Sequence, residues 1–367
     1  MNDIKRTRPR TAAQAMGLKP PTIPIQHIEN HEAPAHAKMA ALGRRSAAIS
    51  ADEREERRTR VLDFLQQVRV ATRRDIDRVC GYPTGVSHNR VLETLYKRRL
   101  VERIENIDSS QSLYALTARG DDFATAPISL PPMTTFEWQN ATQQEHKLGI
   151  SAFMSVMLSP TPIPRAMGSQ RIQEALHDGH YALLGEPLIN HSYAEQFGKR
   201  NLPDNEQLDM LYSKPEDGAG AVNLLYSQAW WYMIPPYMQG QEAVRIDMVD
   251  DNGTPLSQQE LTATLMRRHP ADAVLAPVSM KDGAAVAIEV ERYAKPSADY
   301  VATMNRYGSV FGRKRFGAVI WACATGQILN SVINAAEKTG TSKMVYAFVY
   351  DTGRHGSFLK GTEFNVQ

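Results

Sequence analysis

Three carboxylates in the C-terminal third have the types and spacing that could do chemistry: Asp272 in HPADAVLAP, then Glu289 and Glu291 in AVAIEVERYAK. Read as a strand, residues 285–291 place Val286, Ile288 and Val290 on one face. Ala285, Ala287, Glu289 and Glu291 fall on the other, because strand side chains alternate. Two like charges about 7 Å apart on one face repel unless water or a cation lies between them. Asp272 opens another predicted strand just upstream, where it could complete an oxygen cage for Mg²⁺ or Mn²⁺. An isolated E-x-E is more often a solvated strand face, so the flanking elements must decide.

Those elements are legible from residue 272 onward. A strand over 273–276 leads through a turn at Lys281-Asp282-Gly283 to the strand ending at Glu291. Ser297 is expected to cap a helix over 298–311, followed by a basic turn, Gly312-Arg313-Lys314-Arg315. Residues 316–323 read as a buried strand, 327–338 as a helix and 344–350 as a last strand, an α/β arrangement with a mixed sheet. Upstream, Thr135 can cap a long helix through 158. On it Ala141, Leu148, Ala152 and Val156 form an apolar stripe that includes Glu145, and His146 shares the adjoining line with Ile150, Phe153 and Met157. An ionisable pair on a buried face needs a partner, which the acidic strands and a metal would supply. Exposure at the helix end, or a satisfied core histidine, accounts for the pair equally well.

Residues 52–126 have a different rhythm. A capped helix near 52–65, a short helix over 73–80 capped by Thr72 and a third over 88–99 capped by Ser87 precede two strands, 100–104 and 112–116. Thr117 then opens another helix. Three short helices and a hairpin make a winged helix-turn-helix, whose third helix enters the major groove of DNA. His88, Asn89, Arg90, Lys97 and Arg98 would face outward on it, and Arg73, Arg74 and Arg78 add a second basic row. Such modules also dock proteins or form homodimers through a charged face.

The whole chain of 367 residues suggests two domains or so, and its composition is that of a folded protein. Net charge is only +2, but residues 54–103 hold thirteen Lys/Arg against seven Asp/Glu. Two cysteines, Cys80 and Cys323, argue against a disulfide framework or a cysteine-based zinc site and fit a reducing cytosol. No apolar run has membrane-spanning length, and MNDIKRTRPR lacks the apolar stretch of a signal peptide, so the expectation is a cytoplasmic protein without a membrane partner. Residues 1–50 read as a disordered basic arm, in which His27, His31 and His36 are scattered polar residues. Residues 127–134, with PISLPP, are a linker, and 135–367 form the α/β domain, with an insertion at about 160–260. Within the insertion Trp230 and Trp231 read as aromatic core, while Glu206, Asp209 and Arg245 could line a groove.

The order of elements around Asp272, Glu289 and Glu291 resembles the PD-(D/E)xK restriction-endonuclease-like fold. Here the motif reads Pro270-Ala271-Asp272, with one residue inserted, and Glu289-Val290-Glu291, with glutamate where the lysine would stand. The winged module together with EHKLGI, HPADAVLAP and AIEVERYAKPSADYVATMNRYG is similar to the replication-relaxation family, which is linked to plasmid replication and mobilisation and to MobC-class relaxases. The resemblance covers about residues 52–158 and 262–350. It implies an α/β (α+β) chain, a winged helix-turn-helix followed by a nuclease-like domain, that nicks double-stranded origin DNA with Mg²⁺ or Mn²⁺. Other mobilisation or replication proteins would be partners.

On that resemblance Asp272 and Glu289 bind the metal, Glu291 is a third ligand or a base, and Lys295 reaches back to orient water or is simply a surface lysine. Glu145 would hold a second metal or orient the site, with His146 beside it, and Arg313, Lys314 and Arg315 would grip flanking phosphates. The cation would polarise a phosphoryl oxygen and acidify an attacking water. A covalent relaxase would instead use a tyrosine. Tyr293, Tyr300 and Tyr307 lie near the acids, although tyrosines at this spacing are more often packing. A non-catalytic regulator of replication or transcription on a degenerate nuclease fold is the competing expectation.

Overall fold

The computed structural model describes residues 50–82, 89–104, 112–126, 130, 141–160, 176, 178–197, 222–234, 269–278 and 284–350. From Arg57 onward the chain forms one compact unit, separate from Met1–Glu56. The predicted arm, the wing turn, His88, the 281–283 turn, Glu206, Asp209 and Arg245 lie outside the described residues.

The first part of the chain runs α1 (Ala51–Val68), β1 (Val70–Thr72), α2 (Arg73–Val79), α3 (Arg90–Lys97), β2 (Val101–Ile104), β3 (Leu113–Leu116) and α4 (Ala118–Asp121). Thr72 caps α2 in a reciprocal capping box with Asp75, satisfying backbone donors that a helix start leaves open. β1, unmarked by any alternation in the sequence, pairs antiparallel with β3, giving the strand order β1-β3-β2. On α3, Val91, Leu92 and Leu95 are buried as their helical spacing requires. Its start differs from expectation: Asn89, not Ser87, is the cap, and its side chain accepts the Leu92 N–H at 2.9 Å.

The second part begins with α5 (Ala141–Met157). It continues through β4 (Tyr181–Gly185), α6 (Glu186–Phe197), α7 (Val222–Ser227), a 3₁₀ turn (Ala229–Tyr232), β5 (Ala273–Pro277) and β6 (Ala285–Glu291). It closes with α8 (Ser297–Gly308), α9 (Val310–Arg315), β7 (Phe316–Cys323), α10 (Gly326–Lys338) and β8 (Val345–Val349). The five strands lie in the order β4-β5-β6-β7-β8. β4 to β6 form an antiparallel meander and β6 to β8 are parallel, joined by helical crossovers. β4 and α6 fall within the segment taken as an insertion, so that segment supplies the edge strand of the sheet. The predicted helix over 298–311 is interrupted: Ser309 leaves helical geometry and caps α9 through the Gly312 N–H, while α8 begins at Ser297 itself, with Pro296 in the cap position.

Both faces of the sheet are covered, in keeping with strands that are apolar on both sides. One face buries Ala285, Ala287, Val319 and Trp321 against α6, α8, α10 and the tryptophan turn, where Trp230 and Trp231 are core. The other buries Ile288, Val290 and Ile320 with Ile150, Phe153 and Met157 of α5. That second cluster continues without a break into Val61, Leu65, Ile76, Val91 and Leu95, so the N-terminal module and the sheet share one core. Polar contacts join them as well. The Gly185 N–H donates to Gln67 Oε1 at 2.6 Å, and a Cβ at Gly185 would stand 2.2 Å from the Gln67 carbonyl oxygen, so only glycine fits.

Candidate functional site

The strand register brings the acids together. Ala273 pairs with Ile288, so one step outward Asp272 stands opposite Glu289. Asp272, Glu289 and Glu291 are only 9, 8 and 4 % exposed, which contradicts a solvated strand face. Each has a partner, as buried carboxylates require. Asp272 Oδ2 accepts the Val290 N–H at 2.7 Å, and its Oδ1 lies 3.1 Å from His146 Nε2. Glu289 Oε1 lies 2.9 Å from His269 Nε2 and accepts the Tyr307 hydroxyl. Lys295 Nζ lies 2.9 Å from Glu291 Oε2, so this lysine does reach back across the turn after β6.

The protonation states follow from this crowding. Burial favours neutral His146, but the charge and hydrogen bond of Asp272 prevail and hold the imidazole up at about 9. Asp272 is pulled low: burial alone would raise it, and His146 with the Val290 N–H reverses that. Burial lifts Glu291 to about 7, a rise that Lys295 limits and that Glu289 and Asp272 reinforce. Lys295 is raised, because Glu291 outweighs the cost of burying the ammonium. Beside Asp272 a cavity of about 310 Å³ is lined by Gln67, Arg69, Lys147, Glu186, Asn190 and His191, among others. The Glu186 carboxyl there is raised, first by burial and then by Asp272.

Several expected residues stand elsewhere. Glu145 does not lie in a buried stripe. Its side chain is about half exposed, accepts the Tyr293 hydroxyl and lies 3.9 Å from Arg292. Tyr300 and Tyr307 are buried, with hydroxyls raised above the usual phenol range by burial and neighbouring glutamates. Those two are packing and positioning groups, not accessible nucleophiles. Tyr293 is 42 % exposed. His269 and Glu186 are site residues that sequence reasoning missed, and Tyr307, noted there only as a tyrosine near the acids, proves to hold Glu289. For His269 the available signal was its place three residues before Asp272 in HPADAV.

The donor set suits a hard divalent cation, since carboxylate oxygens are the ligands Mg²⁺ and Mn²⁺ prefer. Among the described residues, however, no group of three or more His, Cys, Asp and Glu side chains is arranged to hold an ion. Both oxygens of Asp272 and one each of Glu289 and Glu291 are already held, by His146, a backbone amide, His269, Tyr307 and Lys295.

The basic residues divide sharply. Arg90, Lys97, Arg98, Arg313 and Lys314 are exposed, and Arg73 and Arg74 are partly so. Asn89 is buried: it caps α3 and donates to Asp77 Oδ1 at 2.6 Å, so it is no DNA contact. Arg78 is turned inward to Asp75 at 3.4 Å and to Ser155 of α5. Arg315 is only 1 % exposed. It lies 4.0 Å over the Trp231 ring and donates to the Trp231 and Phe311 carbonyls at 2.5 and 3.1 Å, which makes it a core residue and not a phosphate clamp.

No protein-family model, curated protein or solved structure matches this chain. Among the described residues no helix is long and apolar enough to cross a membrane.

Proposed function

We propose that this chain binds DNA and carries a metal-dependent endonuclease or relaxase centre that nicks origin DNA in plasmid or phage mobilisation or replication. In this reading the N-terminal module is a winged helix-turn-helix. Its support is the order of helix, strand, two helices and hairpin, with exposed Arg90 and Lys97 on the third helix. The sheet is a PD-(D/E)xK-like core, a reading supported by the succession α5, antiparallel β4-β5-β6, α8 and parallel β7. The observation that carries the proposal is the convergence of Asp272, Glu289 and Glu291 at the ends of adjacent strands, with Lys295 Nζ 2.9 Å from Glu291.

Asp272, Glu289 and Glu291 would hold Mg²⁺ or Mn²⁺, which when bound supplies positive charge to a phosphodiester and acidity to water. Lys295, four residues beyond the position where the motif lysine is missing, would offer its ammonium to a phosphate oxygen. His146, protonated at neutral pH, is placed to give a proton or to hold Asp272 in orientation. His269 and Tyr307 fix Glu289 from the other side.

One observation favours a second reading, a non-catalytic DNA-binding regulator on a degenerate nuclease fold: all three carboxylates are already held by protein donors. Incubating the full chain with supercoiled DNA from around its own gene, with Mn²⁺ or Mg²⁺, separates the two. Nicked circles are expected, and Asp272→Asn or Glu289→Gln should reduce them by about 10²-fold or more, the scale on which positioned acid-base groups act. Intact duplex binding without nicking under any divalent ion leaves the regulator. Absence of salt-sensitive duplex binding overturns both.

A further inference from the structure

Lys97 and Arg98, read from the sequence as outward-facing residues of the third helix, belong to a wider basic surface that no acidic side chain lines. Lys97, Arg98 and Arg99 at the end of α3, together with Arg119 of α4, line a depression of about 410 Å³, with Phe123 at its rim. All four cations are exposed, and none makes a salt bridge or side-chain hydrogen bond among the described residues. Phe123 is 56 % exposed, one of three large hydrophobic side chains so placed among the described residues.

The arrangement is built, not incidental. α3 ends with Arg99 in the left-handed backbone region at φ 58°, where the Leu100 N–H reaches back to the Leu95 carbonyl at 3.0 Å. Glycine usually takes that position, and a side chain there carries a modest cost. α4 is locked against the same turn. Thr117 donates its hydroxyl to the Arg99 carbonyl at 2.8 Å and its N–H to the Leu100 carbonyl at 3.1 Å. A Cβ on Gly120 would stand 1.9 Å from the Leu100 carbonyl oxygen, so this close approach requires glycine. Arg119 is thereby fixed beside the three cations of α3. The partial negative charge at a helix C-terminus accounts for one or two cations on α3 itself. It does not account for Arg119, which belongs to another element, or for the exposed aromatic ring.

Uncompensated cations beside an exposed aromatic are the combination that binds single-stranded nucleic acid: phosphates track the charges and a base stacks on the ring. Duplex DNA, with its bases already stacked, has no use for Phe123. We propose that a single-stranded nucleic acid segment docks on this shelf, with phosphates at Lys97, Arg98, Arg99 and Arg119 and a base on Phe123. The inference rests on the reading that the chain handles nucleic acid, and it names the strand form bound here.

The test is fluorescence anisotropy of the full chain with a labelled oligothymidylate of about 20 nucleotides, alongside a labelled duplex, at several salt concentrations. Arg99→Ala/Arg119→Ala should weaken single-strand binding about tenfold or more and lower the salt slope by roughly 1.4, the counterion release of two contacts. Phe123→Ala should weaken it about fivefold or more with the salt slope unchanged, because stacking releases no counterions. Duplex affinity should move less than about threefold in either variant, since Arg90, Lys97 and Arg98 all remain. Unchanged single-strand affinity in both variants overturns the proposal. If only the arginine variant responds, and a polyphosphate competes as well as the oligonucleotide does, the shelf is a general polyanion site and the assignment to single strands fails. Loss of the duplex arm alone, with the single-strand arm as expected, overturns duplex recognition and leaves this inference standing.

Discussion

At His146 the balance between burial and a neighbouring charge sets how the site responds to pH. Its folded value of about 9 exceeds the unfolded 6.5, so the stability it contributes is complete below about pH 6.5 and is lost as pH rises through 9. Asp272 is lowered by the same ion pair, so its share is that interaction seen from the other side and is not added. Glu291 is raised to about 7 from 4.5, so its contribution is present below about 4.5 and fades as pH rises through 7. Both trends have one sign. Urea unfolding should show stability falling by about 2 kcal/mol between roughly pH 6 and pH 9.5, after allowing for solvent screening at the partly exposed ring. His146→Asn should flatten the alkaline part of that fall; an equally steep profile in the variant would remove the pair as its cause. Arg315 offers a second test at this scale. Arg315→Met leaves two carbonyls without their donor and removes the stack on Trp231, and should cost about 2–4 kcal/mol. Arg313→Ser, two residues away and exposed, should stay within about 0.5 kcal/mol, so thermal denaturation of the two variants separates core from surface.

Between elements, the joint of α2 and α5 turns on one carboxylate. Asp75 closes the capping box with Thr72, pairs with Arg78 and accepts from Ser151 and Ser155 of α5 at 3.4 Å. Its pKa is raised, chiefly by burial and against those donors, so the carboxylate itself, 3 % exposed, has no water to replace a lost partner. Asp75→Ala should destabilise the chain by about 3 kcal/mol, against about 1 kcal/mol for Thr72→Ala, which removes only the cap hydroxyl; chemical denaturation reads both. This joint also marks where the sequence could be read and where it could not. The capping of α2, the inward face of α3 and the alternation along β6 are local patterns, and each has the form that its residues imply. The convergence of Asp272 with Glu289 was likewise legible, because strand order and alternation are enough to bring them together. Of their partners, His146 was expected beside the acidic strands and Lys295 was expected to reach back, but the two contacts that hold Glu289 were not. His269 and Tyr307 reach Glu289 from a loop and a helix whose approach no spacing encodes. β4 was invisible for a related reason: YALLG is a short apolar run without alternation, and it becomes a strand only by pairing with β5. Arg315 sat in a basic run that reads as surface, and only the tryptophan turn packed over it makes it core.

Across the whole molecule, the N-terminal module and the sheet are one packing unit, and on the proposed function this bears on how binding could reach the acids. α5 holds His146 against Asp272, while Ser151 and Ser155 further along it meet Asp75 of α2. If the proposed function holds, a displacement of α2 on binding would therefore press on the helix that holds His146, and the shared apolar cluster leaves little slack between them. Two separately folding domains on a linker would have no such connection and would unfold independently. The two free cysteines lie one on each side of this boundary, Cys80 after α2 and Cys323 at the end of β7, and both are buried. Burial pushes the Cys80 thiol up to about 12, so in the folded protein it is neither accessible nor ionised. Labelling with a fluorescent iodoacetamide across a urea gradient, on Cys80→Ser and Cys323→Ser variants, reads each half separately. Both thiols should become reactive at the same midpoint, within about 0.3 M urea after correction for the stability of each variant, as a single cooperative transition requires. If Cys80 is labelled well before Cys323, the module opens on its own, and a mechanical link from DNA to the acidic cluster through α5 is lost with it.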